Sequence, residues 1–291
     1  MSKTDCESCQ SESCSSKNKN ANESMDEFLE RQALGQVMCK ITNKILVLSG
    51  KGGVGKSTVS VNLATSLAME GYKVGLLDAD VHGPSIPTMM GLQNARPAQV
   101  NGKITPVESG GVKVVSVGFF IESEESPLIW RGPMKMGVIK QFLKDVEWGE
   151  LDYLIIDLPP GTGDEPLSVC QLIEDATGAV VVTTPQEVAA ADVKKSINFC
   201  HQLKLPIIGL VENMSGFVCP ECKTKTAIFN SGGGAKLAEY FGVELLGELP
   251  IEPAVMAACD AGKPFVQSYG ATETAKILKN ISEKIVVKCK E

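Results

Sequence analysis

Seven runs rich in Val, Ile and Leu limit what this chain can fold into: KILVLS (44–49), KVGLLDA (73–79), VKVVSVG (112–118), YLIIDLP (153–159), AVVVTTP (179–185), IIGLVEN (207–213) and VELLGELP (243–250). Most are continuous rather than alternating, the pattern of strands buried on both faces. Helical stretches sit between several of them. STVSVNLATSLAMEG (57–71) puts Val59, Leu63 and Leu67 on one stripe and stops at Gly71. Strands alternating with helices imply an α/β fold, a doubly wound and mostly parallel sheet. Residues 92–127 have weaker periodicity and more Gly, Pro and Glu. They read as loops around the 112–118 strand, with no domain boundary. The closing TETAKILKNISEKIVVKCK (272–290) has Ile277, Leu278, Ile281 and Ile285 at helical spacing, a terminal helix docked on the domain rather than on a membrane surface.

A single domain is therefore expected over residues 44–291. Residues 2–24 contain no Val, Leu, Ile, Phe or Met and cannot offset their own ordering entropy, so 1–24 reads as a disordered, cysteine-containing tail. Residues 25–43 read as a lead-in helix. Ser24 caps it, and Glu27 completes a capping box.

The net charge of −7 argues against a general nucleic-acid surface. No apolar run reaches the roughly 18 residues a membrane span requires, and the N-terminus has no signal-peptide core. A cytoplasmic location is expected, and ten cysteines there point to metal or redox chemistry more than to disulfides. Cys170, Cys200, Cys259 and Cys289 are isolated and read as small buried apolar residues.

Gly50 to Ser57 fits G-x-x-x-x-G-K-[ST], after an apolar strand and opening a helix. Glycines let the backbone turn its N–H groups towards phosphate oxygens, and the helix N-terminus adds its positive dipole end. The candidate nucleotide contacts are Gly50, Lys51, Gly52, Gly53, Val54, Gly55, Lys56, Ser57 and Thr58. Lys56 would reach the β- and γ-phosphates, and the Ser57 hydroxyl would bind Mg²⁺. Asp78 and Asp80 follow one strand and Asp157 ends another. All three lie on the carboxyl edge of the sheet, where open α/β folds bind ligands. Asp157 suits work on the Mg²⁺ shell, and in the following PPGTGD turn the amide of Gly161 or Gly163 could sense the γ-phosphate.

Lys51 is a second lysine, at the start of the loop. It could be a solvated surface group, or it could extend to a phosphate on a neighbouring chain. Composition does not choose between them. KGGVGKST (51–58) resembles the deviant Walker A loop of the MinD/ParA/nitrogenase-iron-protein group of dimerising, SIMIBI-type P-loop ATPases. The resemblance implies that Lys51 acts in trans across a homodimer, that Asp80 orients the attacking water, and that Asp78 and Asp157 serve Mg²⁺.

GFVCPECKTK supplies Cys219 and Cys222. A Cys-x-x-Cys turn points two thiolates at one ion, while a tetrahedral zinc or an iron–sulfur cluster takes four ligands. A symmetric dimer would supply two copies at its two-fold axis. Iron–sulfur cluster, zinc and redox dithiol all remain open on spacing alone. DADVHGPSIPTMMG, WRGPMKMGVIKQF, DYLIIDLPPGTGDEPLSV, VVVTTPQEVAAADVKKSI, GLVENMSGFVCPEC and FGVELLGELPIEP together resemble the Mrp/ApbC family of P-loop ATPases, proposed iron–sulfur cluster carriers. This implies ATP and Mg²⁺ as ligands and a [4Fe–4S] cluster held between two subunits by Cys219 and Cys222. It also implies Asn213 at the adenine, and apo iron–sulfur proteins as recipients. Some relatives hold a second cluster on four N-terminal cysteines. Cys6, Cys9 and Cys14 offer three here, a candidate second metal site. Two other functions stay open: a positioning ATPase acting on membrane or nucleoid, and a reductase of the nitrogenase-iron-protein kind.

Overall fold

The continuous apolar runs become strands with a core on each face. A computed structural model describes residues 19, 23–120, 132–219, 221–222, 224–229 and 232–290. The strands are β1 (Ile41–Leu48), β2 (Val74–Asp78), β3 (Gln99–Val100), β4 (Lys103–Ile104), β5 (Val107–Ser109), β6 (Val112–Ser116), β7 (Leu151–Asp157), β8 (Gly178–Thr183), β9 (Ile207–Val218), β10 (Lys225–Thr226) and β11 (Leu245–Ile251). The helices are α1 (Met25–Met38), α2 (Lys56–Met69), α3 (Ile86–Met89), α4 (Gly132–Asp145), α5 (Asp164–Leu172), α6 (Glu187–Gln202), α7 (Gly233–Phe241), α8 (Pro253–Asp260), α9 (Phe265–Ser268) and α10 (Glu273–Lys288). The main sheet runs β10-β9-β8-β1-β7-β2-β6-β5, with β11 also on β9. Its interior pairs are parallel, and only β5 and β10 pair antiparallel. The short β3–β4 hairpin is separate. The doubly wound, mostly parallel α/β expectation is met.

Period-two side-chain alternation feeds two cores. Along β1, Leu46 and Leu48 join α1, α4 and α6 through Leu34, Phe142 and Ile197. Ile45 and Val47 face the other way, with α2, α9 and α10 through Leu63, Phe265 and Ile285. Helix α2 is buried well beyond its predicted stripe, because it packs under α10 as well as on the sheet. Helix α10 docks on β11 and α2, burying Leu278, Ile281 and Ile285.

Two expectations need correction. Helix α1 has the predicted reciprocal capping box between Ser24 and Glu27, but it ends at Met38, and β1 already starts at Ile41. Residues 25–43 are thus not one lead-in helix. Leu34 and Met38 are buried in the core, because α1 packs on α4. Strand β9 also outruns its apolar signal, continuing to Val218 through a stretch where Met214 (φ 61°) and Gly216 (φ 81°) take left-handed backbone.

Candidate functional site

The sheet register sets the site. Asp78 at the end of β2 lies level with Asp157 of β7 on one side and Ser116 of β6 on the other. Val47 of β1 pairs with Asp157, so the loop leaving β1 starts beside that carboxylate. Four parallel strands therefore deliver two acids, a serine and the glycine-rich loop to one carboxyl edge.

Asp157 is fully buried and organises the first turn of α2. Its Oδ2 accepts from Ser57 Oγ at 2.6 Å, and its Oδ1 accepts from Ser60 Oγ at 2.6 Å. Ser60 is one turn along α2 from Ser57, so both hydroxyls face β7. Lys56 Nζ lies 2.9 Å from Asp157 Oδ2. Yet this buried ammonium has no hydrogen bond of proper geometry. The charges are paired at close range, but the approach lies off the direction of a hydrogen bond. A buried N–H donor without an acceptor is costly, and phosphate oxygens would satisfy it.

Asp78 is also buried. Its Oδ2 accepts from Ser116 Oγ at 2.9 Å and its Oδ1 from the Asp80 amide at 3.2 Å. Burial, followed by repulsion from Asp157, pushes Asp78 up to about 8, against the opposing pull of Ser116 and Lys56. Two carboxylates on adjacent strands with a single nearby ammonium form a site short of positive charge, and a divalent cation would supply it.

Gly52, Gly53, Gly55, Lys56, Ser57 and Thr58 line one cleft of about 230 Å³ with Ser49, Asp80 and Pro160. The other predicted residues surround it. Asp80 Oδ1 accepts from the amides of His82 (3.2 Å) and Gly83 (3.3 Å), which orients the carboxylate at the cleft wall. The Val54 side chain is in the core, and its carbonyl accepts from Asn213 Nδ2 at 2.9 Å. Gly55 (φ +80°) leaves room for that amide, since a Cβ there would collide with Asn213 Nδ2. Gly50 packs on the α6 backbone, where a Cβ would collide with the Asp192 carbonyl. Lys51 does not line its own cleft. Its Nζ lies 3.5 Å from Gln186 Oε1. Of the two turn glycines, Gly161 is committed, because its N–H donates to Ser49 O at 2.8 Å. Gly163 is left as the N-cap of α5.

Cys219 and Cys222 sit in a separate feature on the same edge. Beyond Glu212, the last residue paired with β8, β9 continues to Val218. Six residues extend up to about 20 Å. Lys225 and Thr226 of β10 then pair back on Val218 and Phe217, closing a hairpin around the cysteines. The Cys219 amide donates to Thr224 O at 3.1 Å, and Cys222 Sγ lies 3.2 Å from Thr224 Oγ1. Hydrogen bonding to Thr224, then to Cys219, brings the exposed Cys222 thiol down to about 7. Among the described residues no three Cys, His, Asp or Glu side chains cluster as a metal site. Cys170 and Cys200 are buried, as expected, and burial pushes each up to about 12. Cys259 is buried and Cys289 half-buried. Cys6, Cys9 and Cys14 lie outside the described residues.

Ser60, Ser116 and Ser49 were not singled out from sequence. Ser116 ends the VKVVS run and Ser60 repeats Ser57 one turn on, signals that become readable only once the strand order is known.

Similarity to known proteins bears on this arrangement. A family model described as ParA, NUBPL iron-transfer P-loop NTPase, matches residues 40–286. The iron-sulfur cluster carrier protein of Methanocaldococcus jannaschii is 53% identical over 251 residues, 85% of this chain and 87% of that protein. The cytosolic Fe-S cluster assembly factor NUBP2 homolog of Dictyostelium discoideum is 52% identical over 248 residues, 84% and 94% of the two chains. Among solved structures, a nucleotide-binding protein from Archaeoglobus fulgidus in complex with ADP superposes with a TM-score of 0.72 at 43% identity, covering 80% of this chain and 92% of that one.

Proposed function

The chain belongs to the ParA/NUBPL family of iron-transfer P-loop NTPases, and on that premise we propose that it is a homodimeric ATPase that carries a [4Fe–4S] cluster on Cys219 and Cys222 and hands it to apoproteins in the cytoplasm. One observation carries this reading. A two-thiol hairpin, with Cys222 poised to ionise near neutral pH, projects from the same sheet edge as the phosphate cradle. Two such hairpins facing each other across a two-fold axis supply the four thiolates a cluster takes. The relatives' names, a cluster carrier and a cytosolic assembly factor, support the cargo and the compartment.

At the nucleotide, the loop amides and the α2 N-terminus hold the phosphates, and the unsatisfied ammonium of Lys56 meets the β- and γ-oxygens. Ser57, Asp78 and Asp157 would hold Mg²⁺, which supplies charge neutralisation to the transferring phosphoryl group. Asp80, fixed by the His82 and Gly83 amides, orients the attacking water. Lys51, which does not line its own cleft, reaches the partner's nucleotide and stabilises charge as the bond breaks. Asn213 touches the P-loop and begins the strand segment that ends at the cysteines. Nucleotide state and cargo binding thus bias one continuous element.

The test is anaerobic reconstitution of the full chain and a Cys219→Ala/Cys222→Ala variant, measuring iron, sulfide, zinc and mass. The parent should hold about four iron and four sulfide per dimer, and the variant should lose them unless the N-terminal cysteines carry their own. Equal labile cluster in both proteins, or a loaded parent that runs as a monomer, overturns the assignment.

A further inference from the structure

Lys135 belongs to neither acid-bearing loop, yet it joins both. It lies on α4, 8% exposed, with its stem against a cleft walled by Val81, Met136, Ile139 and Val169. Its ammonium donates to Glu165 Oε1 at 2.7 Å and contacts His82 Nε2. His82 Nε2 is itself 3.1 Å from the same Glu165 oxygen. His82 follows Asp80 by two residues, and its amide is one of the two that hold the Asp80 carboxylate. Glu165 is in the first turn of α5, at the far end of the loop that leaves Asp157 and is pinned to the P-loop by the Gly161–Ser49 bond.

A nearly buried ammonium is a poor source of stability, since its desolvation offsets most of the attraction it gains. What it adds is geometry. One cation fixes a carboxylate on the Asp157 loop and an imidazole on the Asp80 loop at the same point.

Resting on the ATPase reading above, we propose that Lys135 is a positioning residue for hydrolysis: it locks the segment after Asp80 to the segment after Asp157, so that the water-orienting carboxylate and the magnesium-side loop keep one relative placement. It does not line the nucleotide cleft and acts only through His82 and Glu165. A group displaced by about 1 Å from its productive position costs up to about a hundred-fold in rate.

The experiment compares the full-length parent with Lys135→Met, which keeps the apolar stem and removes the charge, with Asp80→Asn, and with the double variant. Turnover is measured across a MgATP titration up to saturation, ADP affinity by calorimetry, and amide exchange by mass spectrometry on the nucleotide-free protein. Lys135→Met should lower kcat by about ten- to a hundred-fold and leave KM and ADP affinity within about twofold, the pattern of an interaction lost only in the transition state. In the Asp80→Asn background it should cost nothing further. Exchange should quicken in peptides covering residues 81–84 and 159–165 together, with the central strands unchanged. Unchanged kcat, a loss that multiplies with that of Asp80→Asn, or unaltered exchange at either loop overturns the proposal. A parent that hydrolyses no ATP sinks the ATPase reading instead, and the exchange result then decides the locking role alone.

Discussion

Replacing Asp78 by Asn should make the nucleotide-free protein more stable at pH 8, although it removes an acid at the centre of the site. Asp78 has an ordinary value of 3.8 and is pushed to about 8 by burial and by Asp157. Between those values the folded chain holds a proton that the unfolded chain releases. Stability is then complete below about pH 4, declines as pH rises, and has lost this contribution by about pH 8. At 1.36 kcal/mol per unit, about four units give a ceiling of roughly 5 kcal/mol. Relaxation and water entry into the open cleft reduce such penalties, so about 2–3 kcal/mol is expected between pH 5 and pH 8. Asn keeps the local bonding: its oxygen can accept from the Asp80 amide, and its NH₂ can donate to Ser116 Oγ. The assay is urea unfolding in EDTA at several pH values for parent and Asp78→Asn, read as the difference between the two. Carboxylates whose values are lowered by partners, Glu30 by Lys140 for example, weaken both proteins alike in acid and cancel. The advantage of the variant over the parent should grow by about 2–3 kcal/mol between pH 5 and pH 8. Parallel curves for the two proteins would refute the reasoning.

Other outcomes follow from the same geometry. Lys51→Ala should abolish hydrolysis while retaining ADP binding, whereas Lys56→Ala should lose affinity as well; calorimetry and turnover separate them, and full turnover by Lys51→Ala removes the trans role. Gly55→Ala places a Cβ against Asn213 at a φ of +80°; strain alone costs about 1–3 kcal/mol, seen as a lower denaturation midpoint and weaker ADP binding. Iodoacetamide should label Cys222 in the metal-free native protein with a rate that rises through about pH 7, while Cys170 and Cys200 stay unlabelled. Mass mapping reads this directly, and labelling of Cys222 that rises only above pH 8.5 would contradict the thiolate assignment.

Much of the sheet was legible because burial on both faces writes itself as continuous Val, Ile and Leu, whatever the strand order. The phosphate loop was legible because strand, glycines, lysine and helix are contiguous. Helix α1 was legible because a capping box is a four-residue device. The extension of β9 through Met214 to Val218 was not, because that segment is half polar and its pairing comes from β11 and β10. The partnering of Gly161 was equally hidden, since the acceptor is a carbonyl at the end of another strand.

The fold class, the phosphate-binding loop and the Cys219/Cys222 pair are readable from the sequence alone, because each is written in residues within a few positions of one another. Tertiary structure alone decided that Asp78 faces Asp157, that Asn213 rests on the P-loop and that Lys135 meets His82 and Glu165. Those contacts depend on which strands are neighbours and on a register where a slip of one residue turns each side chain to the opposite face, and no local spacing encodes either.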